Sequence, residues 1–265
     1  MSRTRKPFSI IKLMLSLVLV AVLFVVGAFL ALTLTEYKPA DIEAVEPAGE
    51  LSSEGKTAAA GQSMTIVSFN TGYAALGEDA DFFMDGGTQS WAWSKERLDA
   101  NLKQIAALAA GKRADLYLIQ EVDIDSTRSY HLDERAYLTA ALPDMAYTFA
   151  QNYDSPFLFY PLTQPHGKSH SGLMTFSSVP VTEATRVELP IETGFIKLLD
   201  LDRCYSMTRI DVENGKQLIL VNLHLSAYGA DSSVRDGQIS RLFLDGNTIL
   251  IALGTLVSIP LSKVL

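Results

Sequence analysis

From Leu13 to Thr35 the chain carries no charged residue. About 20 such apolar residues are enough to cross a bilayer as a helix. No other feature limits the fold as tightly, because a segment placed in lipid must satisfy every backbone N–H and C=O within itself, which only a helix does for a lone span. Arg3, Arg5, Lys6 and Lys12 precede the run, whereas Glu36, Asp41, Glu43 and Glu46 follow it. The excess of cations on the N-terminal side predicts a cytoplasmic segment 1–12, a single-pass anchor 13–35 in the cell membrane, and an extracellular remainder after Tyr37. A cleaved signal peptide is the competing reading, but its apolar region is normally about 7–15 residues long. The sequence also offers no convincing small-x-small cleavage site ahead of residue 36, so the uncleaved anchor is the expectation.

Composition sharpens this picture. Apolar residues make up 48% of the chain and mean hydropathy is +0.16, with the excess concentrated in the anchor and in a smaller block at the end. The formal net charge is −8 with a pI near 5.0, and the only concentrated positive cluster lies in the first residues. A polynucleotide binder usually presents a basic patch, so tight generic nucleic-acid binding is disfavoured, although a metal ion can hold a single phosphate without one. The lone cysteine, Cys204, has no partner for a disulfide or a zinc site and reads as a small buried hydrophobe. Residues 36–62 mix Pro, Ala, Gly, Ser and Glu without apolar periodicity, the signature of a flexible extracellular tether.

The folded domain is expected over 63–254. Thr65 to Asn70 is a β-branched run that ends on a polar residue, hence a strand. After a Gly- and Asp-rich loop, Ser94 is placed to cap a helix. Leu98, Leu102, Ile105 and Leu108 form the helix's apolar stripe, and Gly111 stands at its stop position. Asp115 to Glu121 is then a nearly continuous apolar strand closing on Gln120-Glu121. Strand, helix, strand with short joints indicates an α/β unit. Glu134 to Leu142 is a short helix, and Tyr147 to Asn152 and Ser171 to Ser177 are strands. Cys204 to Val212 and Lys216 to His224 form a hairpin across Asn214-Gly215, a pair suited to a type I′ turn.

Three strand ends carry side chains with chemistry: Asn70, Glu121 and His224. Strand ends in layered α/β proteins commonly converge on a ligand crevice. A carboxylate with an amide oxygen suits a hard cation such as Mg2+, and an imidazole beside a phosphate can move a proton or stabilise developing charge. Each residue also has a plain reading when taken alone. Asn70 can be a turn residue, Glu121 a solvated carboxylate, and His224 a hydrogen-bonded structural histidine.

In order along the chain stand Ile66-Val67-Ser68-Phe69-Asn70, Leu118-Ile119-Gln120-Glu121-Val122, Gly172-Leu173-Met174-Thr175-Phe176-Ser177 and Val221-Asn222-Leu223-His224-Leu225. This series resembles the endonuclease/exonuclease/phosphatase superfamily, which includes DNase I-like nucleases, sphingomyelinases and inositol-phosphate phosphatases. The resemblance covers roughly Met64 to Gly254. It implies a four-layer α/β sandwich of two packed mixed sheets flanked by helices, and hydrolysis of a phosphoester with Mg2+ (or Mn2+ or Ca2+). The substrate would be a phospholipid headgroup, a small phosphodiester or a nucleic acid. By the same resemblance Glu121 is the principal metal ligand, Asn70 helps to orient phosphate and metal-bound water, His224 contacts the scissile phosphate, and Asn222 is its motif companion. His170 falls where relatives place a phosphate-contacting side chain. For His170, His166 and Lys168, a solvated loop is the alternative.

The superfamily pattern continues with a Gly-Asp-x-Asn word and a Ser-Asp-His word. Neither is present here, and no histidine follows His224. Asp245-Gly246-Asn247 has the Asp-x-Asn spacing but precedes its apolar run. Ile249 to Gly254 matches the strand better, with Thr255 where the aspartate is expected. The expectation is therefore a sandwich incomplete at its C-terminus, followed by a divergent apolar tail, 255–265, and a chain of impaired activity. Two rival expectations are a non-catalytic, membrane-tethered binding module of the same fold, and a second membrane segment in the tail.

Overall fold

The structure is a computed structural model that describes residues 10–35, 37–51, 57–191, 202–226, 232–244 and 250–255. The basic residues Arg3, Arg5 and Lys6, the Asp245-Gly246-Asn247 word and the tail beyond Thr255 lie outside the described residues. The chain divides into two units, Met1–Glu36 and Tyr37–Leu265. The first holds one helix, α1 (Ile10–Thr35), none of whose residues is buried. It starts before Leu13 and includes Lys12, and it is long and apolar enough to cross a membrane.

The second unit runs β1 (Ile42–Ala44), β2 (Ile66–Asn70), α2 (Lys95–Lys112), β3 (Leu116–Asp123), α3 (Glu134–Ala141), β4 (Ala146–Leu158), β5 (Gly167–Ser177), β6 (Glu183–Glu188), β7 (Cys204–Asp211), β8 (Gln217–His224), α4 (Ser232–Leu244) and β9 (Leu250–Thr255). Two sheets result, a four-stranded one in the order β2-β3-β5-β4 and a five-stranded one in the order β1-β6-β7-β8-β9. In the first, β2 runs parallel to β3 and the other pairs are antiparallel. In the second, only β8 and β9 are parallel.

Strand alternation sorts side chains into layers. Tyr117 and Ile119 of β3, with Met174 and Phe176 of β5, pack against Ala109 of α2 and Leu138 of α3. The other β3 face sends Leu116 and Leu118 to meet Ile210 and Leu220 of the second sheet. On that sheet's outer face Tyr205, Ile219, Val221 and Leu223 are covered by Ile239 and Leu242 of α4. Helices, sheet, sheet and helix therefore stack as a four-layer α/β sandwich. Burying each of these leucines contributes about 1.5–3 kcal/mol.

Several local expectations need correction. Residues 36–62 are not wholly a free tether, because β1 pairs antiparallel with β6 and Ala48 bridges Tyr147. An edge strand needs only three residues with unpaired partners beside it, and Ile42-Glu43-Ala44 supply them despite the polar composition around them. Helix α2 passes through Gly111 to Lys112, and the left-handed residue that ends it is Arg113 (φ 47°). Its buried stripe is Leu98, Leu102, Ala106 and Ala109, while Leu108 is 49% exposed. The β7–β8 turn is not type I′. Only Gly215 takes a positive φ (77°), and its N–H donates to Val212 O at 2.9 Å. Val212 N–H donates to Lys216 O at 2.8 Å, giving a type I turn closed by a glycine bulge, the next commonest hairpin connection. Of the expected strand Ile249 to Gly254, the described residues from Leu250 onward form β9, which pairs with β8 and sets Thr255 beside His224.

Candidate active site

Parallel pairing of β2 with β3 brings Asn70 alongside Gln120, so the two polar strand ends arrive together. Strand β3 does not stop at Glu121, as its sequence suggests, but continues to Asp123. Its register with β5 shifts between Ile119 and Val122, leaving Gln120 and Glu121 opposite the single residue Leu173. Glu121 is the inserted residue, in the left-handed region at φ 57°. A bulge of this kind re-aims one side chain while the strand goes on. Holding a non-glycine residue there costs on the order of 1–3 kcal/mol and needs support from its surroundings. Thr71 gives that support: its hydroxyl donates to Glu121 O at 2.8 Å and lies 3.0 Å from Gln120 O.

The three predicted strand-end residues meet at one atom. Asn70 Nδ2 donates to Glu121 Oε1 at 2.9 Å, and His224 Nε2 lies 3.4 Å from the same oxygen. Asn70 Oδ1 accepts from Gly72 N–H at 2.8 Å, which fixes the amide's orientation. Glu121 keeps 18% of its side chain exposed, whereas the His224 side chain keeps 9%. Burial, reinforced by the cationic Arg203 and Arg128, pushes the His224 pKa down to about 3. The ring is thus neutral at pH 7, and its contact with Glu121 is imidazole to carboxylate. Its Nδ1 is buried with no hydrogen-bond partner among the described residues.

Asn222 and His170 stand elsewhere. Asn222 is fully buried between the sheets. Its Nδ2 donates to Met174 O at 3.0 Å and Ile119 O at 3.2 Å, and its Oδ1 accepts from Gln120 Nε2 at 2.7 Å. It therefore joins the two sheets behind Glu121 and His224. His170 on β5 bonds Gln151 Oε1 through Nε2 at 2.7 Å, and its N–H donates to Ser126 Oγ at 2.9 Å. Lys168 and His131 both pair with Asp125. These bonds hold the Asp125 carboxyl below its usual range. His166 is no solvated loop residue. It is 3% exposed, its Nδ1 lies 3.1 Å from Ser90 O, and burial pushes its pKa down to about 3.

Behind the bulge lies a charged cluster with no signature in the sequence. Arg128 grips Asp123 in a two-point ion pair (2.7 and 2.9 Å), and its guanidinium sits 3.9 Å from the Tyr73 ring centroid. Glu134, also buried, accepts from Asp123 N–H at 3.2 Å. Burial first, and the Asp123 charge next, push the Glu134 carboxyl well above the usual range. One guanidinium cannot neutralise two buried carboxylates, and this environment favours the neutral form of Glu134. In sequence Asp123, Arg128 and Glu134 look like ordinary loop and helix-cap charges, and only the fold brings them together.

The donor set at Glu121 fits a hard divalent ion of modest protein coordination. Among the described residues no group of three or more His, Cys, Asp and Glu side chains could hold a metal. An ion here would rely on the Glu121 carboxylate, water and substrate oxygens, because the Asn70 amide turns its Nδ2 to Glu121 and its Oδ1 to Gly72 N–H.

No protein-family model matches the chain, and no curated protein does either. Solved structures do. An endonuclease/exonuclease/phosphatase from Beutenbergia cavernae superposes with a TM-score of 0.50 at 17% identity, over 69% of this chain and 44% of that one. An endonuclease/exonuclease/phosphatase family protein from Leptotrichia buccalis gives 0.48 at 13% identity, over 72% of this chain and 66% of that one. The chain thus spans less than two thirds of the length of either. The two face-to-face sheets, their flanking helices and the likeness to the first of these structures together establish that this chain carries the endonuclease/exonuclease/phosphatase, or DNase I-like, fold.

Proposed function

We propose that the chain is a divalent-metal-dependent phosphoester hydrolase, held at the outer face of the cell membrane by α1. The observation that carries this reading is the convergence of Asn70 and His224 on Glu121 Oε1, with Glu121 lifted out of β3 by a bulge. Backbone strain stored at a polar residue is a common mark of a functional site. Glu121 would hold Mg2+, or Mn2+ or Ca2+, with Asn70 steadying its carboxylate. The ion, when bound, would supply Lewis acidity and help to activate water. His224, neutral and buried, would present a fixed N–H to a phosphoryl oxygen and stabilise charge developing there. Asn70, locked by Gly72 N–H, would orient the substrate. The single span and the acidic segment after it support a cytoplasmic N-terminus and an external domain.

A second reading is supported by one observation: among the described residues no ion pair or side-chain hydrogen bond joins a further carboxylate or histidine to Glu121 or His224. The same fold would then act as a non-catalytic, membrane-tethered binding module. Purified full-length chain in detergent separates the two. Hydrolysis of bis(p-nitrophenyl) phosphate that requires Mg2+ or Mn2+, stops with EDTA and is lost in Glu121→Gln supports the enzyme. Metal-dependent thermal stabilisation without turnover supports the binding module. No response to metal of either kind overturns both readings.

A further inference from the structure

The end of the sandwich that carries the site also carries an exposed apolar shelf. Strand β3 ends there, β5 begins there and β4 ends there, because β5 is antiparallel to both. The β4–β5 tip consequently extends past Glu121. It exposes Phe157 (49%), Phe159 (39%), Tyr160 (53%) and Leu162 (78%). The loop after β2 packs against this tip and adds Met84 (41%) and Trp93 (51%). The two segments are locked together: Trp91 Nε1 donates to Pro165 O at 2.7 Å, Ser90 Oγ to Gln164 O at 2.6 Å, and Phe83 lies 5.8 Å from the Tyr160 ring. From Phe157 to His166 the sequence holds no Asp, Glu, Lys or Arg. A surface of clustered large apolar side chains on a chain with a charge of −8 is unusual for a face left in water.

The register of the second sheet says where the tether leaves. Ile42 pairs with Val187, Val187 with Tyr205 and Tyr205 with Leu223, the neighbour of His224. Glu188 N–H donates to Asp41 O at 2.8 Å. The strand that follows the anchor is therefore entered from the same end of the sandwich as the site. Residues 37–41, which lead into β1, lie on the shelf's side of that strand. Tether and apolar shelf thus share one end of the domain.

We infer that this shelf docks into the interface of the bilayer that holds α1, so that the phosphoester reaching Glu121 and His224 is one presented at a membrane surface. The docking half stands on the exposed side chains and the tether's exit, and the substrate class rests additionally on the hydrolase reading above. Tyr and Trp favour the headgroup level, while Phe, Leu and Met favour the acyl boundary beneath it. The absence of basic residues from the tip makes a zwitterionic surface sufficient, since no attraction to anionic lipid is built in.

The test uses the full-length chain reconstituted into phosphatidylcholine vesicles. An environment-sensitive fluorophore is attached at Leu162→Cys and, for comparison, at Lys216→Cys in the β7–β8 turn at the opposite end. The buried Cys204 is replaced by Ser in both. The Leu162 probe is expected to shift to the blue and to be quenched at least threefold by brominated phosphatidylcholine, and the Lys216 probe to report water. Equal, water-like signals at the two positions overturn docking. A Leu162 probe shielded from water but not quenched by brominated lipid reports contact between copies of the chain and overturns it as well. For the substrate class, Leu162→Asp is expected to lower the ratio of vesicle-borne to soluble phosphodiester hydrolysis at least tenfold. An unchanged ratio with the probe result intact overturns the substrate class alone. Absence of any hydrolysis by the unmodified chain overturns the hydrolase reading and the substrate class with it, and leaves docking to be decided by the probe.

Discussion

Glu121 is the residue at which stability and chemistry oppose each other. Its left-handed backbone stores strain, and its carboxylate faces an amide and a neutral imidazole, with no cation in contact among the described residues. Glu121→Gly removes both burdens and is expected to stabilise the protein by about 1 kcal/mol, while abolishing the thermal shift produced by Mg2+ or Mn2+. Paired melting curves with and without metal check this, and a destabilised Glu121→Gly would show that the bulge is not strained. The buried histidines set a pH dependence. His166 and His224 have folded pKa values of about 3, below the ordinary 6.5 of the unfolded chain. The unfolded state therefore binds protons first as pH falls below 6.5, and stability is lost from there downward. Each histidine steepens the loss by up to about 1.4 kcal/mol per pH unit. Glu134 has the opposite sign. Its raised pKa gives stability that is complete below the unfolded value of 4.5 and is lost as pH rises through the folded value. Urea denaturation between pH 4 and 8 is expected to show His166→Asn flattening the acid limb and Glu134→Gln gaining relative stability on the alkaline side. At this scale Asn70, Glu121 and His224 were legible in the sequence because each is a polar residue that closes an apolar run. Thr71, Arg128 and Glu134 were not, because a hydroxyl or charge that acts through buried backbone and ion-pair contacts leaves no periodic mark.

At the scale of elements, what could be seen was set by how much of an element's identity lies in its own residues. Strands β2, β3, β5, β7 and β8 and helices α2 and α3 all follow from β-branched runs, apolar stripes and caps such as Ser94, whose hydroxyl accepts from Arg97 N–H at 3.1 Å. Strand β1 was hidden because three residues in a polar segment become a strand only when β6 offers its edge. Strand β4 was read too short, since its continuation to Leu158 depends on pairing with β5 through two register shifts. The β7–β8 turn was placed correctly and typed wrongly. Asn-Gly is compatible with two hairpin geometries, and the hydrogen bond from Lys216 N–H to Asn214 Oδ1 at 3.1 Å supports the one found. That geometry makes a specific demand, because Gly215 alone carries a positive φ and nothing lies within 4 Å of the Cβ that a larger residue would add there. Gly215→Ala should therefore cost about 1 kcal/mol through backbone strain alone, with no change in metal response. Asn214→Gly should lose a few tenths of a kcal/mol, since it frees the unfolded chain and removes the side-chain bond. Equilibrium unfolding measures both, and a stabilising Asn214→Gly would return the turn to type I′.

Across the whole molecule the site depends on two sheets meeting at a fixed height, and their joint is polar at that point. Toward the β7–β8 turn the sheets touch through Leu116, Leu118, Ile210 and Leu220, contacts that tolerate sliding because apolar packing has no direction. Nearer the site the contact becomes directional, with Asn222 of β8 reaching across to Gln120 Nε2 and to the carbonyls of Ile119 and Met174. Gln120 precedes Glu121, and Asn222 stands one inward-facing position before His224, so this clasp sets the height of Glu121 against that of His224. Part of this was legible: the Asn-x-His word marks Asn222, but its partner lies 102 residues away and is found only when the sheets are stacked. Replacing Asn222 by Leu takes a partner from Gln120 and removes the donor to two carbonyls, for an expected loss of about 2–4 kcal/mol. Adding Gln120→Leu removes the polar group left facing the apolar replacement, so the double variant should recover about 1–2 kcal/mol relative to the sum of the single changes. Such recovery would restore stability without restoring height, because leucines do not fix a register across sheets. The double variant is therefore expected to unfold cooperatively, at a denaturant midpoint higher than the two single losses added together would give, and yet bind Mg2+ or Mn2+ at least tenfold more weakly. Additive losses in stability, or metal affinity that recovers together with stability, would show that the sheets are aligned by their apolar contacts instead.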